Sequence, residues 1–182
     1  MNARYRPLLS ALVVSVALLG AWRWQANVRE AREQRKALWM QYLHGPLADF
    51  LYGSSRARPL LAKRQLNAKD QAEIKDAIAH LRESAKQARV MAVLTERDPR
   101  LAPLNGAAQW HQEVYDLFEP WQNLVGRPLG AQALGVEKDL RSRLWCQLNA
   151  QRGELLRDKS LNKDEVLETN AMLYSLQEET EK

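Results

Sequence analysis

His44, His80 and His111 are the side chains best suited to proton transfer or metal ligation, and they lie far apart in the chain. None follows a glutamate at the Glu-x-x-His spacing with which helical bundles hold paired metal ions, and no His-Glu-x-x-His pair is present. Each therefore reads as a packing or surface histidine. Cys146 is the only cysteine, which excludes an intrachain disulfide and any site built from several thiolates. It reads as a small apolar side chain on a helix.

Other spacings stop short of chemistry. Gly130 and Gly135 are spaced as in a phosphate-binding loop, yet Val136 and Glu137 stand where lysine and a hydroxyl residue are required. Asp158, Ser160, Asn162 and Asp164 alternate like calcium ligands, but Lys163 and Thr169 replace the glycine and glutamate that such a loop needs. Helix termination and recapping explain that segment. Ser160 and Lys163 fit a Ser-x-x-Lys pattern without the companion motifs of acyl-enzyme hydrolases. The expectation is a chain that is not an enzyme, with no cofactor and no metal.

Charge narrows the partners. The formal net charge is +5, but from Trp24 onward 24 basic residues face 22 acidic ones. A nucleic-acid binder needs a concentrated basic face, so no nucleic acid is expected. A hydrophobic share of 46% with 27% charged residues is the composition of a folded chain, and 182 residues suffice for one core.

The strongest single signal is N-terminal. Residues 7–22 carry no charge and are rich in Leu, Val and Ala, between Arg6 and Arg23. As a helix they span about 24 Å, and snorkelling Arg6 and Arg23 with interfacial Trp22 and Trp24 extend that toward a bilayer core of about 30 Å. The flanks also resemble those of a cleaved signal, but the small residues of a cleavage site are missing: Leu19 stands two positions before Ala21, and Trp24 two before Ala26. The reading is an uncleaved, single-pass signal-anchor. Arg4 and Arg6 favour a cytoplasmic N-terminus, whereas Arg23, Arg29, Arg32, Arg35 and Lys36 crowd the other flank. Because long domains translocate largely regardless of charge, a periplasmic C-terminal domain on a bacterial inner membrane is favoured over a cytoplasmic one.

The elements that would position any surface are helices. Trp24, Val28, Ala31, Leu38 and Tyr42 recur by threes and fours, with Arg35 where an apolar residue would fit, and such a stripe wants a partner helix. Gly45-Pro46 should kink or end that helix, and a short helix can run from Pro46 to Tyr52. Residues 53–66, with Ser54, Ser55 and Pro59, read as a connection carrying uncompensated Arg56, Arg58, Lys63 and Arg64, which invites an anionic-lipid reading. Asn67 and Asp70 cap a helix with Ile74, Ile78, Leu81, Ala85, Ala88 and Ala92 on one face, ending near Arg97. A third carries Trp110, Val114, Leu117, Trp121 and Leu124, closed by Gly126-Arg127-Pro128. A fourth carries Val136, Leu140, Leu144, Leu148 and Leu155. Asn162 and Glu165 open a fifth with Val166, Leu167, Asn170, Leu173 and Tyr174. No stretch alternates with period two. The predicted fold is all-α: residues 1–23 an anchor, 24–44 a juxtamembrane amphipathic helix, and 45–182 a bundle of four to five helices.

Six tryptophans fall into a membrane-proximal set, Trp22, Trp24 and Trp39, and a distal set, Trp110, Trp121 and Trp145. Interface anchoring and core packing account for them, while a binding surface together with Arg141 and Arg143 is the sharper alternative. The functional expectation is a membrane-anchored, non-catalytic interaction or scaffold protein of the cell envelope, with the bilayer and either a protein partner or a second copy as its partners. The alternative is a membrane-anchored sensory or ligand-binding bundle.

Overall fold

Two asparagines start helices as the sequence predicts. The Asp70 amide donates to Asn67 Oδ1 at 2.8 Å while the Asn67 amide donates to Asp70 Oδ2 at 3.3 Å. At Asn162 the reciprocal bonds join Glu165 N to Asn162 Oδ1 at 3.0 Å and Asn162 N to Glu165 Oε2 at 2.7 Å. Each box satisfies amides that the first helical turn leaves without an intrahelical partner. The computed structural model describes residues 6–63, 66–96, 98–122 and 131–181, with the side chains of 6–14, 61, 122, 131–132 and 178–181 left out. Among these the chain is all helix, without a strand: α1 (Arg6–Tyr42), a π-helical turn (Leu43–Leu47), α2 (Ala48–Leu61), α3 (Ala68–Thr95), α4 (Ala102–Phe118), α5 (Ala131–Arg157) and α6 (Lys163–Glu181), with short 3₁₀ turns at Pro99–Leu101 and Glu119–Gln122.

Sequential helices pack side by side, α2 on α3, α3 on α4, α4 on α5 and α5 on α6, and contacts between α2 and α6 close the ring. Gly45-Pro46 neither ends nor breaks the first rod. Proline lacks an amide hydrogen and its ring collides with the carbonyl one turn back, so the wider π turn absorbs it and α1 runs on into α2. The last turns of α1, the π turn and α2 therefore act as one rod of the bundle.

The connection predicted for residues 53–66 is instead mostly helix. Gly53 is in α2 because of space: a Cβ there would meet Ala77 O at 2.6 Å and Leu81 Cγ at 2.8 Å. Ser54 is buried but returns its hydroxyl to Phe50 O at 2.8 Å, so its polarity costs the helix little. Gly53→Ala should destabilise the bundle by about 1 to 3 kcal/mol, since a backbone carbonyl cannot step aside as a side chain can. A thermal midpoint unchanged from wild type would contradict this close crossing of α2 and α3.

The arginines of this stretch are not uncompensated either. Arg56 Nη1 lies 3.6 Å from Glu73 Oε1, Arg58 Nε 3.6 Å from Glu137 Oε2, and Lys63 Nζ 3.1 Å from Asp70 Oδ1. The Lys63 hydrogen bond, then that from the Asn67 amide, holds the Asp70 carboxyl below its usual range. Position 64 lies outside the described residues. Arg56, Arg58 and Lys63 are thus each paired with a carboxylate of the same fold.

The buried faces are partly rotated from those predicted. On α3, Ile74, Ile78, Leu81, Ala85 and Ala88 are buried as expected, but Met91 replaces Ala92. On α4 the core side is Leu104, Ala107, Ala108, His111, Val114, Tyr115 and Phe118, leaving Trp110, Leu117 and Trp121 half-buried. Leu124 and Gly126-Arg127-Pro128 lie outside the described residues. On α5, Val136 is exposed while Glu137, Arg141 and Gln151 join Leu140, Leu144, Leu148 and Leu155 inside. On α6, Leu167 and Tyr174 face out and Thr169, Leu173 and Leu176 face in.

Candidate functional surfaces

Three clusters of buried polar side chains among the described residues decide what chemistry their members are free to do. At the end nearest the start of the chain, Arg35 is 5% exposed and reaches two loops at once. Its Nη2 donates to Asp158 Oδ2 at 3.0 Å, its Nη1 lies 3.6 Å from Asp98 Oδ2, and Arg100 Nη1 adds a second bond to Asp158 Oδ2 at 2.8 Å. The residue that interrupts the apolar stripe is thus the one that fastens α1 to the α3–α4 and α5–α6 connections.

Midway along the bundle, Tyr42, His111 and Ser84 form a buried chain with a definite direction. Ser84 Oγ donates its one hydrogen to Pro46 O at 2.7 Å, so it accepts from His111 Nδ1 at 2.5 Å. His111 Nε2 is then the acceptor for the Tyr42 hydroxyl at 2.6 Å. Burial lowers the His111 pKa to about 3 and pushes the Tyr42 phenol well above its usual range, so both are neutral at pH 7. Ser84 and His111 stand at the distance of a nucleophile and its base. Yet the serine proton is committed to a backbone carbonyl, and the two residues are 0% and 1% exposed. Their arrangement fixes α1, α3 and α4 in register; it does not present a nucleophile to a substrate.

At the far end, Glu137 and Arg141 are both fully buried on α5. Arg141 Nε and Nη2 approach Glu137 Oε1 at 3.0 and 2.5 Å, and the guanidinium sits 5.6 Å from the Phe50 ring centroid. Arg141 is therefore spent inside the fold and does not belong to a protein-binding surface. Arg143 does remain outside, over the Trp110 ring at 5.4 Å and paired with Asp139 at 2.9 Å.

Gln151 departs from this pattern, being fully buried with neither Nε2 nor Oε1 hydrogen-bonded among the described residues. An unsatisfied buried amide costs about 1 to 3 kcal/mol, so Gln151→Leu should stabilise the bundle by about that amount. A loss of stability in urea would mean that the amide has a partner worth keeping.

The other two histidines serve separate surface pairs. His44 Nε2 is 2.6 Å from Glu168 Oε1, and His80 Nδ1 is 2.7 Å from Asp49 Oδ1. Among the described residues no group of three or more His, Cys, Asp or Glu is placed to hold a metal. Cys146 is exposed.

Two open grooves mark the bundle surface. One, of about 580 Å³, lies between α5 and α6 and is lined by Trp145, Asn149, Arg152, Asn170, Tyr174 and Gln177. Two of its lining residues are joined, Arg152 Nη1 donating to Asn170 Oδ1 at 2.7 Å. The other, of about 600 Å³, lies between the π turn and α3, beside His44, Glu83, Lys86, Gln87, Val90 and Met91. Val90 is exposed in it, and Val93 and Leu94 are exposed one turn further along α3.

α1 behaves differently from every other helix. Its 37 residues span about 55 Å, and Arg35 is the first buried residue among those described. N-terminal to that point the helix leaves the bundle: Val16, Leu18, Leu19, Trp22 and Trp24 are 62–68% exposed. Arg23 is exposed as well, and Arg6 opens the helix with its side chain outside the described set. The stripe residues divide between the two environments. Trp24 is bare, Val28 and Ala31 are half-buried, and Leu38 and Tyr42 pack in the chain's own bundle. Trp39, grouped by sequence with the membrane-proximal tryptophans, is wholly buried and donates its Nε1 hydrogen to Thr169 Oγ1 at 3.1 Å. Among the described residues no helix is long and apolar enough to cross a membrane. The uncharged stretch begins at Pro7, and its first half falls on side chains outside the described set.

No family model, no curated protein and no solved structure matches the chain.

Proposed function

We propose that this chain is a membrane-anchored, non-catalytic interaction or scaffold protein of the cell envelope, tethered by the N-terminal part of α1 and presenting its bundle on a rigid stalk. The observation that carries the reading is the exposure of Val16, Leu18, Leu19, Trp22 and Trp24 on a helix that has left its bundle. Leaving a large aliphatic side chain in water forgoes about 1.5 to 3 kcal/mol, so a run of them calls for a lipid or protein cover. Residues 7–22 add a stretch without charge, flanked by Arg6, Trp22, Arg23 and Trp24. The bundle core is filled with aliphatic and aromatic side chains, and its grooves are open, which favours contact with a macromolecule over enclosure of a small ligand.

The full-length chain should sediment with membranes and resist carbonate extraction, whereas a chain starting at Gln25 should be released. A native N-terminus after Ala21 would overturn the anchor. Alkaline phosphatase fused to the C-terminus should be active, because the bundle is assigned to the periplasmic side of a bacterial inner membrane. A fluorescent cytoplasmic fusion with inactive phosphatase reverses that orientation.

One observation favours a second reading, a tethered sensory or ligand-binding bundle. The α5–α6 groove joins the Trp145 and Tyr174 rings with an arginine and three amides, and its size suits a small organic molecule.

A further inference from the structure

Eighteen residues separate Trp24 from Tyr42, which is about five whole helical turns, so the two project at the same azimuth of α1. Ala31 and Arg35 lie within roughly 20° of that line, on either side. Tyr42 and Arg35 are buried, and this azimuth therefore points at the interior of the bundle. Continued toward the N-terminus, it points into the space above the bundle's end, over the connections that carry Asp98 and Asp158. Trp24, Val28 and Ala31 overhang the bundle rather than flanking it.

That placement decides what can cover them. Suppose a second copy, parallel in the same membrane, met the first through this face. Each bundle begins at Arg35, about 11 Å beyond Val28, on the side turned toward the contact, so the two bundles would claim the same volume. The occupant must end where the bundle begins. Charge adds a second constraint: Arg23 and Arg32 border the face on its two sides, both exposed, and among the described residues neither has an ion pair. A partner helix with acidic side chains in its membrane-proximal turns complements them.

Resting on the anchored reading above, we infer that Trp24, Val28 and Ala31 form the docking face for one transmembrane helix of a different protein, which extends only two or so turns past the membrane and is acidic there. The bundle's end acts as a stop that admits a short helical tail and excludes a second copy of this chain.

The test places single cysteines at Val28→Cys and Ala31→Cys, with Glu33→Cys on the opposite side of the helix, all in a full-length Cys146→Ser background. Labelling by a membrane-impermeant maleimide is followed in native membranes opened by freeze–thaw and in vesicles that contain this protein alone. Relative to position 33, which stays exposed, positions 28 and 31 should label about tenfold more slowly in native membranes than in the vesicles, as for a face occupied most of the time. A disulfide-linked dimer through position 28 or 31 would overturn the inference in favour of a second copy. Fast labelling at both positions in native membranes would overturn it as an open face, and equal protection in both preparations would assign the cover to lipid. Release of the protein by carbonate in the same samples would remove the anchored reading itself, a failure distinct from these.

Discussion

Arg141→Met should lower the unfolding free energy of the bundle by about 3 to 5 kcal/mol, the largest effect expected of any single substitution here. The arginine holds Glu137 Oε1 with two nitrogens at 3.0 and 2.5 Å, and both residues are completely buried. Methionine fills similar space but leaves the carboxylate with Arg58 at 3.6 Å as its described cation. Taking a charge out of water without close compensation is what the substitution adds to the folded state. Replacing both residues, Glu137→Leu with Arg141→Met, should recover most of the loss, because a well-packed apolar pair avoids the desolvation that the ion pair must offset. Urea unfolding of a chain starting at Gln25 reads both effects. A single variant within about 1 kcal/mol of wild type would mean that water reaches the pair.

His111→Gln should be destabilising at neutral pH and less so in acid. The folded pKa of about 3 lies below that of a free histidine, 6.5. The unfolded chain therefore takes up a proton that the folded chain refuses. The stability that depends on neutral His111 is complete above pH 6.5 and is lost as pH falls toward 3. Over that whole window the loss amounts to about 5 kcal/mol, with a limiting slope of about 1.4 kcal/mol per pH unit. Glutamine does not titrate. It still offers one donor and one acceptor to Ser84 and Tyr42, so its cost at pH 7 should be about 1 to 3 kcal/mol. Carboxylates elsewhere titrate in both proteins and cancel in the difference. The gap between wild type and variant should shrink by about 2 kcal/mol between pH 6.5 and pH 5. A gap that stays constant would show His111 charged in the folded state, or exposed.

What was legible in the sequence follows how local each signal is. The caps at Asn67 and Asn162 are legible because a capping box involves four consecutive residues, and the α3 stripe because aliphatic side chains dominate its core face, with Ser84 and Thr95 among them. The apolar count rotates α4 away from its true core side because the buried face is centred on a histidine, to which such a count gives no weight. α5 was incomplete for the same reason, with Glu137, Arg141 and Gln151 inside. The part of α2 from Gly53 onward reads as a connection because Gly53, Ser54, Ser55 and Pro59 are breakers in isolation. Gly53 is required by a helix crossing, which is a tertiary fact, while the two serines bond back to the carbonyls of Phe50 and Tyr52 only once the helix exists to offer them. In the sequence Arg35 is only a gap in a stripe, because its aspartate partners sit more than sixty positions further along the chain. Of the candidate surface, the apolar N-terminal run was visible at once, whereas the place where α1 leaves the bundle was not.

That place is where the proposed function is most directly tested. Leu18→Cys and Leu19→Cys, each in a full-length Cys146→Ser background and compared with Gln25→Cys, put reporters on the exposed part of α1. In sealed vesicles whose C-terminal side faces outward, a membrane-impermeant maleimide should react with position 25 and should leave positions 18 and 19 untouched until detergent is added, because the bilayer covers them. Reaction at 18 and 19 as fast as at 25 before detergent would contradict the anchor.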